Sequence, residues 1–478
     1  MGYLFILKPG YIIIGFLVVA VIFHLFKDER RRTYSADFTS ARKVISRYNK
    51  GWVLDGIRRL SRNDSFRNVL VCGGVGSYKS SAVVLPFLKV ADDCVLVVND
   101  ISEELLSGSY TELTKKGFEV VALKFRDTTK SACYNPLERC NTKGQINKVA
   151  KTIVQSALGK SSSDPFWNQQ ATTLIALCIT YLKQNRPEYA NLANVYRILK
   201  LMHAESKTVD RMFVDASEEL FISYKSFLGF GEKIVSGVVA SASAALQIME
   251  DSDVARITSV DTLGDFKELR KKKVAIFVQN SVTDLEYLQF ITDIFYAQLS
   301  ESLLDTMPEK DDNDVWLVFD EFASSMQLPQ AGSLFATLRK TRTGIMAVCQ
   351  DGRSQLKMRY GESANTIISN CYTKLYLAGG LDLETANYIE KRAGKFEFTD
   401  DKEVRRVREL ITSDEVLQIQ PKTGIVDIGS HALIQVNLTP FFERMSFRKI
   451  GEAEARLQGN VPEFVPLLPA KLQSSHRV

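Results

Sequence analysis

One stretch leaves the chain few backbone options. Directly after the apolar run Asn68–Cys72 comes Gly73-Gly74-Val75-Gly76-Ser77-Tyr78-Lys79-Ser80-Ser81, and an apolar segment able to start a helix follows. Glycines at this density let successive backbone N–H groups curl around an anion, and the helix N-terminus adds a partial positive charge. Lys79 stands at the offset from Gly73 that reaches β- and γ-phosphates, and the Ser80 hydroxyl is placed to bind Mg²⁺. A strand–loop–helix unit of this kind commits its surroundings to an α/β fold. One letter departs from the pattern, because Tyr78 fills the position before the lysine where glycine is usual. A left-handed backbone at such a bulky residue costs on the order of 1–3 kcal/mol. The competing reading is a glycine-rich turn with no ligand.

Far downstream, the apolar run Val315–Phe319 ends in Asp320-Glu321. A carboxylate at a strand end can hold a magnesium ion, directly or through water, while its neighbour polarises the attacking water. The spacing therefore makes Asp320 the metal partner and Glu321 the general base. Arg339-Lys340-Thr341-Arg342 then leads into the run Ile345–Cys349, which ends in Gln350. Gln350 can sense a γ-phosphate from a neighbouring strand, and Arg339 can act as a finger onto the nucleotide of the next subunit in a ring. Equally, Arg339 and Arg342 can be solvated residues that complement a helix end.

Short β-rich apolar runs recur at 69–72, 94–98, 120–123, 274–278, 315–319, 345–349 and 375–377. Uninterrupted apolar runs suit strands covered on both faces, so the pattern predicts a mainly parallel sheet with helices between. Between about Gln145 and Asp265 no strand signal is found. There Phe166, Trp167, Gln170, Ala171, Leu174, Leu177, Cys178 and Tyr181 recur at helical spacing, and Leu192–Met202 and Val238–Met249 read as helices too. Pro165 suits the first turn of the first of these helices. The expectation is a discontinuous α/β domain at 68–144 and 265–455 with an all-α domain inserted at 145–264. The polar stretch Asp311–Asp314 reads as low-complexity sequence, and 456–478 as a C-terminal tail, loosely packed over its last eighteen residues.

Composition excludes more than it assigns. With 478 residues, 45% hydrophobic, 24% charged, 27 Gly and 12 Pro, the chain is neither collagen-like, a coiled coil nor mostly disordered. Its seven scattered cysteines contain no CxxC pair, which points to reduced thiols rather than disulfides or structural zinc. The four histidines show no metal-ligand spacing. Net charge is +5, yet twelve basic and five acidic residues crowd between Lys27 and Arg67, so the rest is slightly acidic. That local excess follows an uncharged run, Tyr11–Phe26, with Tyr3–Leu7 apolar as well. About 20 apolar residues span a bilayer core. The basic cluster Lys27–Arg32 after the run, with no small-residue cleavage site, argues against a signal peptide and puts the C-terminal side in the cytoplasm. A single transmembrane anchor at 1–27, meeting the membrane through residues 3–26, and a basic juxtamembrane stem at 28–67 beside anionic head groups are expected. A buried core helix is the alternative for the apolar run.

The order of these motifs resembles the type IV secretion system coupling proteins, the TraG/TraD-like membrane-anchored ATPases. The resemblance runs from the apolar segment to about Phe447. It is carried by GGVGSYKSS, VVNDISEEL, CYNPL (133–137), DPFWNQQA (164–171), LVFDEFAS, VCQDGRSQLKMRYGESANTIISNCYTKLYLAG and LITSDEVLQI (410–419). It implies a RecA-like P-loop NTPase domain, an inserted all-α domain that contacts substrate, ATP and Mg²⁺ as ligands, and a hexamer at the inner membrane. The implied role is to recruit relaxase-bound DNA or protein effectors to the secretion channel and to couple ATP hydrolysis to their transfer. The implied nucleotide contacts are Lys79, Ser80, Asp320, Glu321 and Gln350, with Arg339 as finger. This chain differs in Tyr78, in Ile-Ser-Glu-Glu after Asp100 where the family often has Pro-Lys-Gly-Glu, and in showing one apolar span where many relatives have two. A non-hydrolysing docking scaffold and a DNA-translocating pump of the segregation type are the alternatives. The inserted helical region and the absence of a winged-helix-like C-terminus weigh against the pump. If residues 1–26 are the anchor, their deletion moves the chain from the membrane pellet to the supernatant on ultracentrifugation; a truncate that still pellets with membranes contradicts it.

Overall fold

The computed structural model describes residues 34–159, 165–325, 328, 330–402, 404–444, 457 and 459–469. The expected anchor lies outside them, and among the described residues no helix is long and apolar enough to cross a membrane.

All seven apolar runs are strands, with bounds shifted by at most two residues: β1 (Val69–Cys72), β2 (Cys94–Asn99), β3 (Glu119–Leu123), β4 (Val274–Val278), β5 (Asp314–Phe319), β6 (Thr343–Cys349) and β7 (Thr373–Leu377). They pair in parallel. Four further strands were not foreseen: β8 (Lys395–Thr399), β9 (Arg405–Glu409), β10 (Thr423–Ile428) and β11 (Ile434–Asn437). The nine-stranded sheet runs β11-β10-β7-β1-β6-β5-β2-β4-β3, with β10 and β11 antiparallel at one edge, while β8 and β9 form a separate hairpin. Alternation along β1 explains why the sheet is buried twice. Val69 and Val71 face a core shared with the helices after the glycine loop, whereas Leu70 and Cys72 face one shared with the helical insertion.

The insertion between β3 and β4 is helical, beginning with Lys143–Leu158, which a Thr142/Gln145 capping box starts. Pro165 opens the helix Pro165–Asn185, and Leu192–Ala204 follows. The expected helix over 238–249 stops earlier. An α-helix covers Glu232–Ala245 and a separate 3₁₀ turn covers Gln247–Glu250.

Three stretches differ from their sequence reading. The 28–67 region does not behave as a stem once past Ala41. Trp52 is fully buried, its ring 4.3 Å from Phe87 and 4.9 Å from Trp316 between centroids, and its Nε1–H donates to the Ser65 carbonyl at 2.9 Å. Large aromatic area outweighs the flanking charge there. Asp311–Asp314 is not idle polar sequence either. Asp314 accepts the Arg62 guanidinium at 2.5–2.6 Å and that of Arg342 at 2.9 Å. Finally, the C-terminal segment is pinned over residues 459–469. Arg256, Asn194 and Arg197 each donate at 2.8 Å to its carbonyls, at Pro462, Pro466 and Leu468, and Leu468 is 1% exposed. A proline-rich segment cannot form a full backbone ladder, so side chains of the insertion satisfy its carbonyls.

Truncating Trp52 to alanine should therefore lower stability by about 3–5 kcal/mol, read as a lower urea midpoint; an unchanged midpoint would return this stretch to the status of a stem.

Candidate nucleotide-binding site

The carboxyl ends of β1, β6 and β5 lie side by side, with Cys72 opposite Cys349 and Phe319 opposite Ala347. The residues following these strands therefore share one edge of the sheet, the edge where open α/β sheets bind ligands. The glycine loop is held there by neighbouring backbone. Gly73 N–H donates to the Cys349 carbonyl at 3.2 Å, and Gly74 N–H to that of Gly379 at 2.7 Å. A Cβ added to Gly74 would sit 2.9 Å from the Gly380 Cα, and one on Gly380 would sit 2.6 Å from the Gly74 Cα. Gly379-Gly380 after β7 is thus a second part of the cradle that the sequence reading passed over. Its signal was a glycine pair directly after an apolar run.

Tyr78 has φ 68° and ψ 20°, the left-handed conformation anticipated for it. Its half-buried ring packs against the core beneath the loop, with the Lys422 ammonium 5.7 Å from its centroid. Packing thus holds a backbone shape that glycine would adopt at no cost. Beyond it the chain winds a wide π turn over Lys79–Val84, carrying Ser80 and Ser81. Turns of this type concentrate at functional sites.

Lys79 folds back over the loop, donating to the Gly73 carbonyl at 2.6 Å and the Gly74 carbonyl at 2.8 Å. Burial lowers its pKa, and the negative charges of Asp320 and Glu321 oppose that shift. Asp320 is 5% exposed, and its carboxyl is pushed up to about 7, chiefly by burial and then by the charges of Asp100 and Glu321. Asp100, at the end of β2, is raised mainly by burial although it accepts from Leu105 N–H, Leu106 N–H and Gln279 Nε2. Glu321 sits at φ 54° and accepts from the Gln350 amide at 2.8 Å. Gln350 is itself set by its N–H, which donates to the Gln355 side chain at 3.1 Å.

Lys79, Asp320, Glu321 and Gln350 are therefore brought together, with Ser80 beside Lys79. Arg339 is not. It is exposed on the 3₁₀ turn Leu338–Thr341 at the amino end of β6, about 20 Å from Gln350 at strand rise. Arg342 is structural, since its guanidinium binds Asp314 and the Glu309 carbonyl, the latter at 2.7 Å.

The residues fit a magnesium–nucleotide. The loop leaves no room for Cβ atoms at Gly73 and Gly74, and the Ser77 hydroxyl is buried without a protein partner. A carboxyl kept near neutrality by burial is also a group that a cation can deprotonate in place. A separate cavity of about 530 Å³, lined by Arg139, Lys148, Gln298 and Asp305 among others, belongs to the junction with the helical insertion.

Known proteins resemble this chain in sequence and fold. The family model described as type IV secretory system conjugative DNA transfer matches residues 27–462. Protein VirD4 of Rhizobium radiobacter is 22% identical over 438 residues, 84% of this chain and 60% of its own length. The chain thus spans about three fifths of that relative. The plasmid coupling protein TrwB in complex with ADP and Mg²⁺ superimposes with a TM-score of 0.66 at 17% identity, covering 90% of this chain and 98% of that one. VirB4 of Thermoanaerobacter pseudethanolicus aligns more loosely, with a TM-score of 0.50 at 13% identity over 85% of this chain and all of that one.

The raised carboxyl of Asp320 means that the folded chain holds a proton which the unfolded chain has already released at intermediate pH. Its cost to stability grows as pH rises from the ordinary carboxylate range to about 7 and is complete above that. Asp320→Asn should therefore melt several degrees above the parent at pH 8 without ligand, with the gap closing toward pH 4. An equal gap at both pH values contradicts the assignment.

Proposed function

Because the chain belongs to the type IV secretory system conjugative DNA transfer family, we propose that it is a coupling protein that binds ATP with Mg²⁺ and couples its hydrolysis to substrate transfer. The observation that carries this reading is the meeting of Lys79, Asp320, Glu321 and Gln350 at one sheet edge. Ser80 and Asp320 would hold the magnesium, which would supply positive charge to offset that of the phosphates. Lys79 exchanges the carbonyls of Gly73 and Gly74 for phosphate oxygens. Glu321 takes the proton of the attacking water, and Gln350 fixes the carboxylate that does so. The loop closes on the phosphates through backbone N–H groups of Val75, Gly76 and residues 78–80, while the Gly74 N–H stays on the Gly379 carbonyl and holds the two glycine pairs together behind it.

The cargo in this reading is relaxase-bound DNA or effector protein, received by the all-α insertion at 145–264 and passed to channel components of the secretion system. A hexameric ring at the inner membrane, anchored by residues 3–26 with the remaining mass cytoplasmic, is part of the same proposal. Arg339, remote from its own chain's nucleotide edge, then serves the neighbouring subunit. The feature that favours a non-hydrolysing scaffold is Tyr78 in place of the usual glycine. Against it stands the left-handed backbone of Tyr78, which preserves the loop shape that glycine would give.

ATP turnover by the cytoplasmic body, with and without single-stranded DNA, tests the reading. Lys79→Ala should reduce turnover by about 10²–10³-fold, the usual loss for one charge-stabilising group. Gln350→Ala should lower kcat with little change in KM. Parent and Lys79→Ala turning over equally would leave only the scaffold. DNA binding should weaken steeply with added salt, because phosphate contacts release counterions; salt-insensitive binding would exclude backbone contact.

A further inference from the structure

The β8–β9 hairpin is the one described sheet whose residues enter neither hydrophobic core. Its register puts Phe396 opposite Arg408 and Phe398 opposite Arg406. One face therefore carries two phenylalanines, 5.8 Å apart between centroids, flanked by two arginines. Phe398 is 37% exposed, and the face as a whole is solvated rather than packed. Arg406 donates to Asp400 and Arg408 to Glu415, both at 2.7 Å. Aromatic rings framed by guanidinium groups are poor neighbours for bulk water and suited to a lipid–water boundary, where rings enter the acyl edge and arginines stay among head groups.

What covers this face is indicated by the segment bridged to its edge. Ser35 bridges Phe396 in antiparallel fashion, Ala36 N–H donates to the Lys395 carbonyl at 3.0 Å, and Glu397 N–H donates to that of Tyr34 at 3.2 Å. The segment pairing with the hairpin is thus the chain directly after the apolar run and its basic cluster. From Phe26 to Ser35 is nine residues, at most about 30 Å fully extended. Were Lys27–Arg32 among anionic head groups, as positively charged flanks are, only Thr33 and Tyr34 would lie between Arg32 and Ser35. That is about 10 Å. The tether would therefore leave the ribbon at the bilayer surface. Further along the same segment, Arg42 and Arg47 line a recess beside Asn437 of β11, together with the Arg58–Asp55 ion pair.

We propose that the Phe396–Phe398–Arg406–Arg408 face of the β8–β9 ribbon lies in the head-group layer of the bilayer that the N-terminal segment crosses, as a second membrane contact of the nucleotide-binding domain. The inference rests on the anchor assigned to residues 3–26. The ribbon orients the domain against the membrane, which a single point of attachment cannot do alone.

All seven native cysteines are buried, so a single surface cysteine can be labelled selectively. The full chain carrying Phe398→Cys with an environment-sensitive fluorophore is reconstituted into phosphatidylcholine–phosphatidylglycerol vesicles. Ile222→Cys, exposed on the helical insertion, is the reference. The label at 398 should be quenched by nitroxide lipids and shielded from aqueous iodide, with the opposite pattern at 222. A label at 398 that behaves like the one at 222 overturns the proposal. So does one that is shielded from iodide yet untouched by nitroxide lipids, since a neighbouring protein then covers the face. Extraction by alkaline carbonate separates the two premises. A chain stripped from the vesicles removes the anchor and the ribbon contact together, whereas a chain that stays inserted without lipid quenching at 398 removes the ribbon contact alone.

Discussion

Parallel pairing of β1, β6 and β5 with their carboxyl ends in register is the constraint on which the site depends. It brings a lysine from one strand end, a buried carboxylate from another and an amide from between them to one edge, although 271 residues separate Lys79 from Gln350 in sequence. No local structure could hold those groups together. The burial that makes the sheet stable also withholds water from Asp320, so its carboxyl sits near neutrality instead of in the ordinary acid range. At this residue burial raises the cost of ionisation, a trade that perturbed groups at functional sites commonly show.

The loop before Lys79 shows how a substitution in a glycine pattern can be absorbed. Two demands meet at residue 78: a left-handed backbone for the turn, and something to fill the space beneath it. Glycine meets only the first. The tyrosine meets the second through ring packing, and the first at a steric cost that the packing offsets. Gly74 had no such freedom, because Gly379 and Gly380 approach it backbone to backbone, and at Gly73 the Ser77 and Leu377 side chains take the space a Cβ would need.

How much of this was legible in sequence depended on the kind of signal each element carries. The seven parallel strands are continuous apolar runs because both their faces are covered, and such runs are visible without knowing their partners. β8 and β9 are covered on neither face by core, so KFEFT and RRVRE read as charged surface. β11 alternates buried and exposed residues over only four positions, too few to register. Lys79, Asp320, Glu321 and Gln350 were legible because strand-end placement is itself a sequence pattern. Gly380 was not, since its requirement arises only where the loop after β7 meets Gly74. Charge misled in two places: the basic residues around Trp52 suggested a stem, and Asp311–Asp314 suggested idle polar chain, because ion pairs such as Arg62–Asp314 span 252 residues.

Replacing magnesium by ferrous iron in the nucleotide complex, and adding ascorbate and peroxide, cuts the backbone next to whatever ligates the metal. Mass spectrometry of the fragments is the most direct test of convergence. The account requires nucleotide-dependent cuts in two segments at once, one around Ser80 and one around Asp320. Cleavage confined to the glycine loop, with the end of β5 intact, would contradict it.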